Sequence, residues 1–111
     1  MRAMNDVISL ICEKTTPGTD GFPVKEDIDT LEVFAQINSV KRNEFYAAER
    51  EGIKLSLSVY INADDWRASI IIKDGRKIAP CKVVYDGQPY SIYRTYQEND
   101  TNMELILQEV E

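Results

Sequence analysis

The chain contains no histidine, and that absence removes much of enzyme chemistry. Without an imidazole the usual Ser-His and Cys-His nucleophile pairs are unavailable. Cysteine is scarce as well: Cys12 and Cys81 are the whole supply, with no C-x-x-C pair. Neither a zinc knuckle nor a thioredoxin-type motif is therefore available, and the two thiols read as small buried residues of a reducing cytoplasm. No apolar run approaches the roughly 20 residues of a membrane span. Met1 to Asn5 lacks the charged-then-apolar layout of a signal peptide, which leads to the expectation of a protein made in the cytosol. Positive charge is also short. Lys and Arg number 13 against 19 Asp and Glu, a formal net charge of −6. Such a chain gains little from counterion release on DNA, so a dedicated nucleic-acid binder is disfavoured, whereas a protein that surrounds DNA without gripping it is not.

What is present is an ordinary globular composition, 43% hydrophobic and 29% charged over 111 residues, read as a single domain spanning 1–111. Val7 to Cys12 reads as a first strand, followed by a loop from Thr15 to Pro23 that is dense in Gly and Pro. That loop lacks the G-K-[ST] ending of a phosphate cradle. Leu31, Val33, Ala35 and Ile37 share one face of a second strand, with Glu32, Phe34 and Gln36 on the other. Asn38 and Ser39 offer cap oxygens for a helix over Val40 to Glu51, stopped by Gly52. From Ile53 to Ile61 every odd position is apolar, the period of a half-buried strand. Ala63-Asp64-Asp65 reads as a turn. Asp74-Gly75 and Asp86-Gly87 mark hairpins. Tyr90, Ile92, Arg94 and Tyr96 fall on one face of a further strand, and Met103, Leu105 and Leu107 on one face of the last. The pattern predicts a mainly β fold: a small antiparallel barrel or sandwich of six or seven strands with one short helix.

Candidates for chemistry are few. The carboxylate groups Asp64-Asp65, Asp27 with Asp29, and Glu98 with Asp100 fall in predicted turns, where such side chains bond locally to backbone. None follows the order of a calcium-binding EF-hand loop. No catalytic, cofactor-binding or metal-ligating residues are assigned, and no cofactor is expected. Tyr85, Tyr90, Tyr93 and Tyr96, with Trp66, admit two readings. One is aromatic packing or a protein interface; the other is a stacking platform for single-stranded nucleic acid on a barrel, which normally needs a positive groove that Arg94 and Lys82 barely supply. Lys41, Arg42, Arg50 and Lys54 interleave with Glu44, Glu49 and Glu51, either as a solvated helix face or as a contact strip for an acidic neighbour.

Three stretches carry a resemblance. Glu32 to Val40 continues through Lys41-Arg42-Asn43-Glu44-Phe45-Tyr46-Ala47-Ala48 to Gly52-Ile53-Lys54. Tyr85-Asp86-Gly87-Gln88-Pro89-Tyr90-Ser91-Ile92-Tyr93-Arg94-Thr95-Tyr96 follows, and Asp100 to Leu107 closes the chain. In this order they resemble the head-closure, or head–tail joining, proteins of tailed phages: a Val-Phe-Ala strand, Ser-Val-x-Arg-x-Glu-Phe-Tyr-x-Ala, a Tyr-x-Gly-x-x-Tyr-x-Ile-x-Arg-x-Tyr hairpin and an Asp-x-x-x-Glu-Leu strand. The opening Asp6 to Ile11 fits as well. Residues 64–79 depart from the pattern by being longer. The resemblance implies a non-enzymatic virion subunit that forms a ring in the neck, contacts a portal or adaptor protein and a tail protein, and lets packaged DNA pass without sequence-specific binding. It implies assembly in the bacterial cytoplasm and neither membrane nor small-molecule partners. A tail-completion or neck protein is the related alternative. Interface residues implied in this way are Arg42, Phe45, Tyr46 and Arg50 on the helix, and Tyr90, Arg94 and Tyr96 on the hairpin.

Overall fold

Period-two patterning dominates the chain and its consequence is a sheet. The computed structural model describes residues 4–110 and is mainly β, with 60% strand and 15% helix. The strands are β1 (Asp6–Pro17), β2 (Pro23–Asn38), β3 (Leu55–Asn62), β4 (Ile71–Lys73), β5 (Arg76–Ile78), β6 (Lys82–Tyr85), β7 (Gln88–Gln97) and β8 (Asn102–Glu109). The helices are α1 (Arg42–Arg50) and α2 (Ala63–Ser69). Six strands run antiparallel in the order β1-β2-β3-β8-β7-β6, and β6 returns to β1; β4 and β5 form a separate two-stranded hairpin. The closure is slender. β6 meets β1 only at Ser9↔Val84, Leu10↔Val83 and Ile11↔Lys82, so the barrel is irregular rather than evenly staved.

Inward side chains of five barrel strands meet in one core, Ile8, Leu10, Val33, Ala35, Val59, Ile61, Val83, Met103, Leu105 and Leu107, and β7 adds the partly buried Tyr90 and Ile92. Burying each Leu, Ile or Val contributes about 1.5–3 kcal/mol. A second, smaller cluster lies outside the barrel wall, where Ala48 of α1 covers Leu55 and Ile106 while Val40, Phe45 and Ile53 close its rim. β8 is therefore buried on both faces.

Two bulges decide which residues face where. The register slips between Leu55 and Leu57, so Leu55 faces out beneath α1 while Leu57 packs against the core. The strict odd-position face expected from Ile53 to Ile61 is thus broken at its start. A second slip lies between Ile92 and Arg94. Tyr90 and Ile92 pack against the core, whereas Arg94 reaches carboxylates outside it. The expectation that Tyr90, Ile92, Arg94 and Tyr96 share one face is corrected by this bulge.

The helices correct the sequence reading further. Among the described residues there are two, not one. Ala63-Asp64-Asp65 is the first turn of α2 rather than a turn between strands. Its Ala63, Trp66 and Ser69 are buried, and Trp66 caps the main core at the end where β3 finishes. At α1 the cap position belongs to Lys41, which makes no side-chain cap bond; neither Asn38 nor Ser39 serves. The Asn43 carboxamide accepts the Glu44 N–H instead, at 2.9 Å. The C-terminus follows the expected glycine stop. Gly52 has φ +81, its N–H donates to Glu49 O and the Ile53 N–H donates to Ala48 O, each at 3.0 Å, a Schellman motif.

Both Asp-Gly hairpins form as expected. Asp74 and Gly75 have φ of 54 and 76, and Asp86 and Gly87 have φ of 52 and 77, the left-handed pair of a type I′ turn. A Cβ at Gly87 would meet nothing within 4 Å, so its penalty is backbone strain alone. Gly87→Val is expected to cost about 1–2 kcal/mol, read as a lower midpoint of thermal unfolding. An unchanged melting curve would contradict the turn.

The loop expected over Thr15 to Pro23 is shorter than anticipated. Strand pairing continues to Pro17↔Pro23, leaving 18–22 as the connection. The outer part of β1 and β2 therefore extends as a two-stranded arm beyond the barrel, at the same end as α2 and the β4–β5 hairpin.

Candidate assembly surfaces

α1 is fastened to the barrel wall by charge as well as by apolar contact. Arg94 donates from Nε to Glu44 Oε2 at 2.5 Å and from Nη2 to Glu44 Oε1 at 2.7 Å, a fork-on-fork pair. The same Nη2 reaches Glu104 Oε1 at 3.3 Å, and the other Glu104 oxygen accepts the Ser58 hydroxyl at 3.0 Å. Glu104 is 9% exposed and Ser58 3%. One guanidinium thus joins α1, β7 and β8, and a serine of β3 completes the chain. Among the described residues no buried side-chain polar atom lacks a partner.

The hydrogen bond from Arg94 holds the Glu44 carboxyl below the usual range, helped by the charges of Arg94 and Lys41 and opposed by burial. A carboxyl that binds its proton more weakly when folded stabilises the fold above the unfolded value. That contribution is lost as pH falls through the lower folded value. Stability is therefore expected to drop as pH falls below about 4.3, and Glu44→Gln is expected to remove part of that drop. Equal acid sensitivity in both proteins, followed by thermal unfolding from pH 6 downward, would count against it.

The residues implied as interface by resemblance divide by position. Arg42, Tyr46 and Arg50 project from α1 into solvent, as does Tyr96 from β7. Phe45 is half-buried in the cluster under α1, with its ring edge-on to Tyr46 at 5.7 Å. Tyr90 packs against the main core and Arg94 is committed to Glu44 and Glu104. The helix and the hairpin are nonetheless brought together, because Glu44 of α1 is ion-paired with Arg94 of β7. Across β3, β8 and β7 the row Tyr60–Glu104–Tyr96 sets a carboxylate between two tyrosines.

Trp66 departs from the stacking reading. It is 8% exposed and belongs to the core, so it offers no face to a nucleobase. Other exposed apolar residues escaped notice as surface features. Val7 and Phe34 stand opposite each other on β1 and β2, 48% and 64% exposed. Phe22, 71% exposed, marks the arm's tip. Phe34 was legible as an outward residue from its alternation; Phe22 had no pattern to reveal it.

Both thiols, Asp27 and Asp64 are engaged with neighbouring groups. Cys12 is buried against the Ser69 carbonyl, and burial, then Asp29, pushes its pKa up. Cys81 is exposed as a residue, yet its thiol donates to Glu13 at 3.0 Å, and burial with that partner raises its pKa to about 11. Asp27 accepts from Lys82 at 3.0 Å, tying the arm to β6. Asp64 pairs with Arg67 of its own helix. Among the described residues no group of His, Cys, Asp or Glu side chains is placed to hold a metal ion, and no helix is long and apolar enough to cross a membrane.

No protein-family model matches the chain, and no curated protein matches it in sequence.

Proposed function

We propose that the chain is a structural virion protein of a tailed phage or prophage: a non-enzymatic subunit of the head–tail connector ring that closes the DNA-filled head and docks the tail. One observation carries the reading. The three stretches that resemble head-closure proteins contribute the three members of one ion-paired unit, Glu44 from the first, Arg94 from the second and Glu104 from the third. Chance likenesses scattered along a sequence have no reason to converge on a single guanidinium. In this reading the unit holds α1 rigid on the barrel wall, so that Arg42, Tyr46 and Arg50 face a neighbouring subunit, the portal or adaptor protein, or the tail protein. The net charge of −6 suits a wall past which DNA slides, since like charge keeps phosphates from lodging there. Burial of Trp66 weighs against the competing platform for single-stranded nucleic acid.

The test is electron microscopy of particles from a phage lacking this gene. Emptied heads with detached tails are expected. Normal, infectious particles would overturn the proposal.

A further inference from the structure

We propose that copies of this protein associate head to tail, with the β4–β5 hairpin of one copy docking on the open β2 edge of the next; this rests on the ring reading and names the surfaces that would build it. The β1–β2 arm has two edges of opposite character. Along its β1 edge lies the β4–β5 hairpin, tied on by Lys14 to Asp74 at 3.3 Å. Hairpin and arm bound a cleft of about 500 Å³ whose walls include Glu13, Lys14, Lys73, Arg76 and Lys77. Lys14 and Asp74 neutralise each other. Lys73, Arg76 and Lys77 are exposed and meet no carboxylate among the described residues. In a chain of net charge −6 the hairpin is a local excess of positive charge.

The far edge is the reverse. β3 pairs with β2 only from Ala35 to Asn38, so from Val24 to Thr30 β2 is paired on its β1 side alone. Such an edge leaves backbone donors and acceptors open to another chain. Glu26, Asp29 and Glu32 are exposed along β2 and form no ion pair among the described residues, against Lys25 as the lone cation of the stretch. The arm itself is a two-stranded ribbon with both faces largely in solvent, a form of marginal stability without a partner.

This placement of charge selects the symmetry. A two-fold contact through either edge would set like charges against their own copies, which opposes association. Repeating the chain in one sense sets Lys73, Arg76 and Lys77 of one copy against Glu26, Asp29 and Glu32 of the next. That contact is heterologous, and it makes a ring if the rotation closes.

The test is sedimentation velocity on the full chain over a concentration series, at low salt and at about 0.5 M salt. Association that weakens with salt is expected. Lys73→Glu/Arg76→Glu/Lys77→Glu and, separately, Glu26→Lys/Asp29→Lys are each expected to weaken it by more than about tenfold. Both sets lie on exposed positions, and circular dichroism checks that each variant is folded. Mixing the two variants is expected to restore association between them, a result that no loss of folding could produce. Failure of the mixture to associate, an unaffected triple variant, or a wild-type chain that stays monomeric at low salt would each overturn the proposal. So would binding of a short DNA duplex by the hairpin without self-association. A connector defect in the gene-deleted phage together with unaffected association of the triple variant would remove this interface and leave the connector reading standing.

Discussion

Trp66→Ala is expected to destabilise the protein by about 3–5 kcal/mol, the range for removing a large buried aromatic side chain. Trp66 is the one tryptophan of the chain, and it fills the barrel end where α2 crosses. Its removal leaves the main core cluster facing a void that a helix of seven residues cannot collapse to fill. At this chain length the unfolding midpoint should fall by roughly 12–20 °C. Trp66→Phe keeps most of the volume and should cost much less. A fall under about 1 kcal/mol for the alanine variant would mean that α2 is an ornament on the barrel rather than its lid.

Arg94→Met is the second large effect, and its interest lies in what it strands. The substitution keeps an aliphatic stem over the sheet but leaves Glu44 and Glu104 without their cation. Breaking a fully buried pair costs about 3–5 kcal/mol. The Arg94 side chain is 37% exposed, so solvent screens part of this and about 2–3 kcal/mol is expected. If the cost is that of unpaired carboxylates, Glu44→Gln/Arg94→Met/Glu104→Gln should recover much of it, because the amides need no cation. A triple variant as unstable as the single one would assign the loss to the packing of the arginine stem. The acid sensitivity contributed by Glu44 should also shrink in Arg94→Met, since the bond that lowers its pKa is gone.

Local pattern revealed most of the strands and both type I′ hairpins, because period two and Asp-Gly are short-range signals. It failed where a feature depended on something distant. The bulges near Ser56 and Tyr93 turn Leu55 toward α1 and Arg94 toward carboxylates outside the barrel, partners that are not visible within a strand. α2 was legible in principle: Ala63, Trp66 and Ser69 recur at helical spacing, but the adjacent Asp64 and Asp65 read as a turn. The arm was missed for the opposite reason. With both faces in solvent it carries no alternation, so Pro17, Gly18 and Pro23 dominated the reading. The union of Glu44, Arg94 and Glu104 is invisible to local pattern, since it joins residues 50 and 10 positions apart in the chain. The outward placement of Arg42, Tyr46 and Arg50 follows from α1, which the sequence did reveal.

The position of β8 has a consequence for how the molecule is made. This strand lies between β3 and β7 and is buried from Met103 to Leu107, yet it is the last strand in chain order. Until the ribosome has released it, β3 and β7 have no shared neighbour, the barrel cannot close, and Leu55 has no Ile106 to rest on. The β3–β8 and β1–β6 contacts that close the fold span long stretches of chain, a topology that folds slowly and exposes sticky edges meanwhile. Folding must therefore wait until β8 has been made, and nascent chains stalled before residue 102 should fall to proteases rather than accumulate as partial barrels.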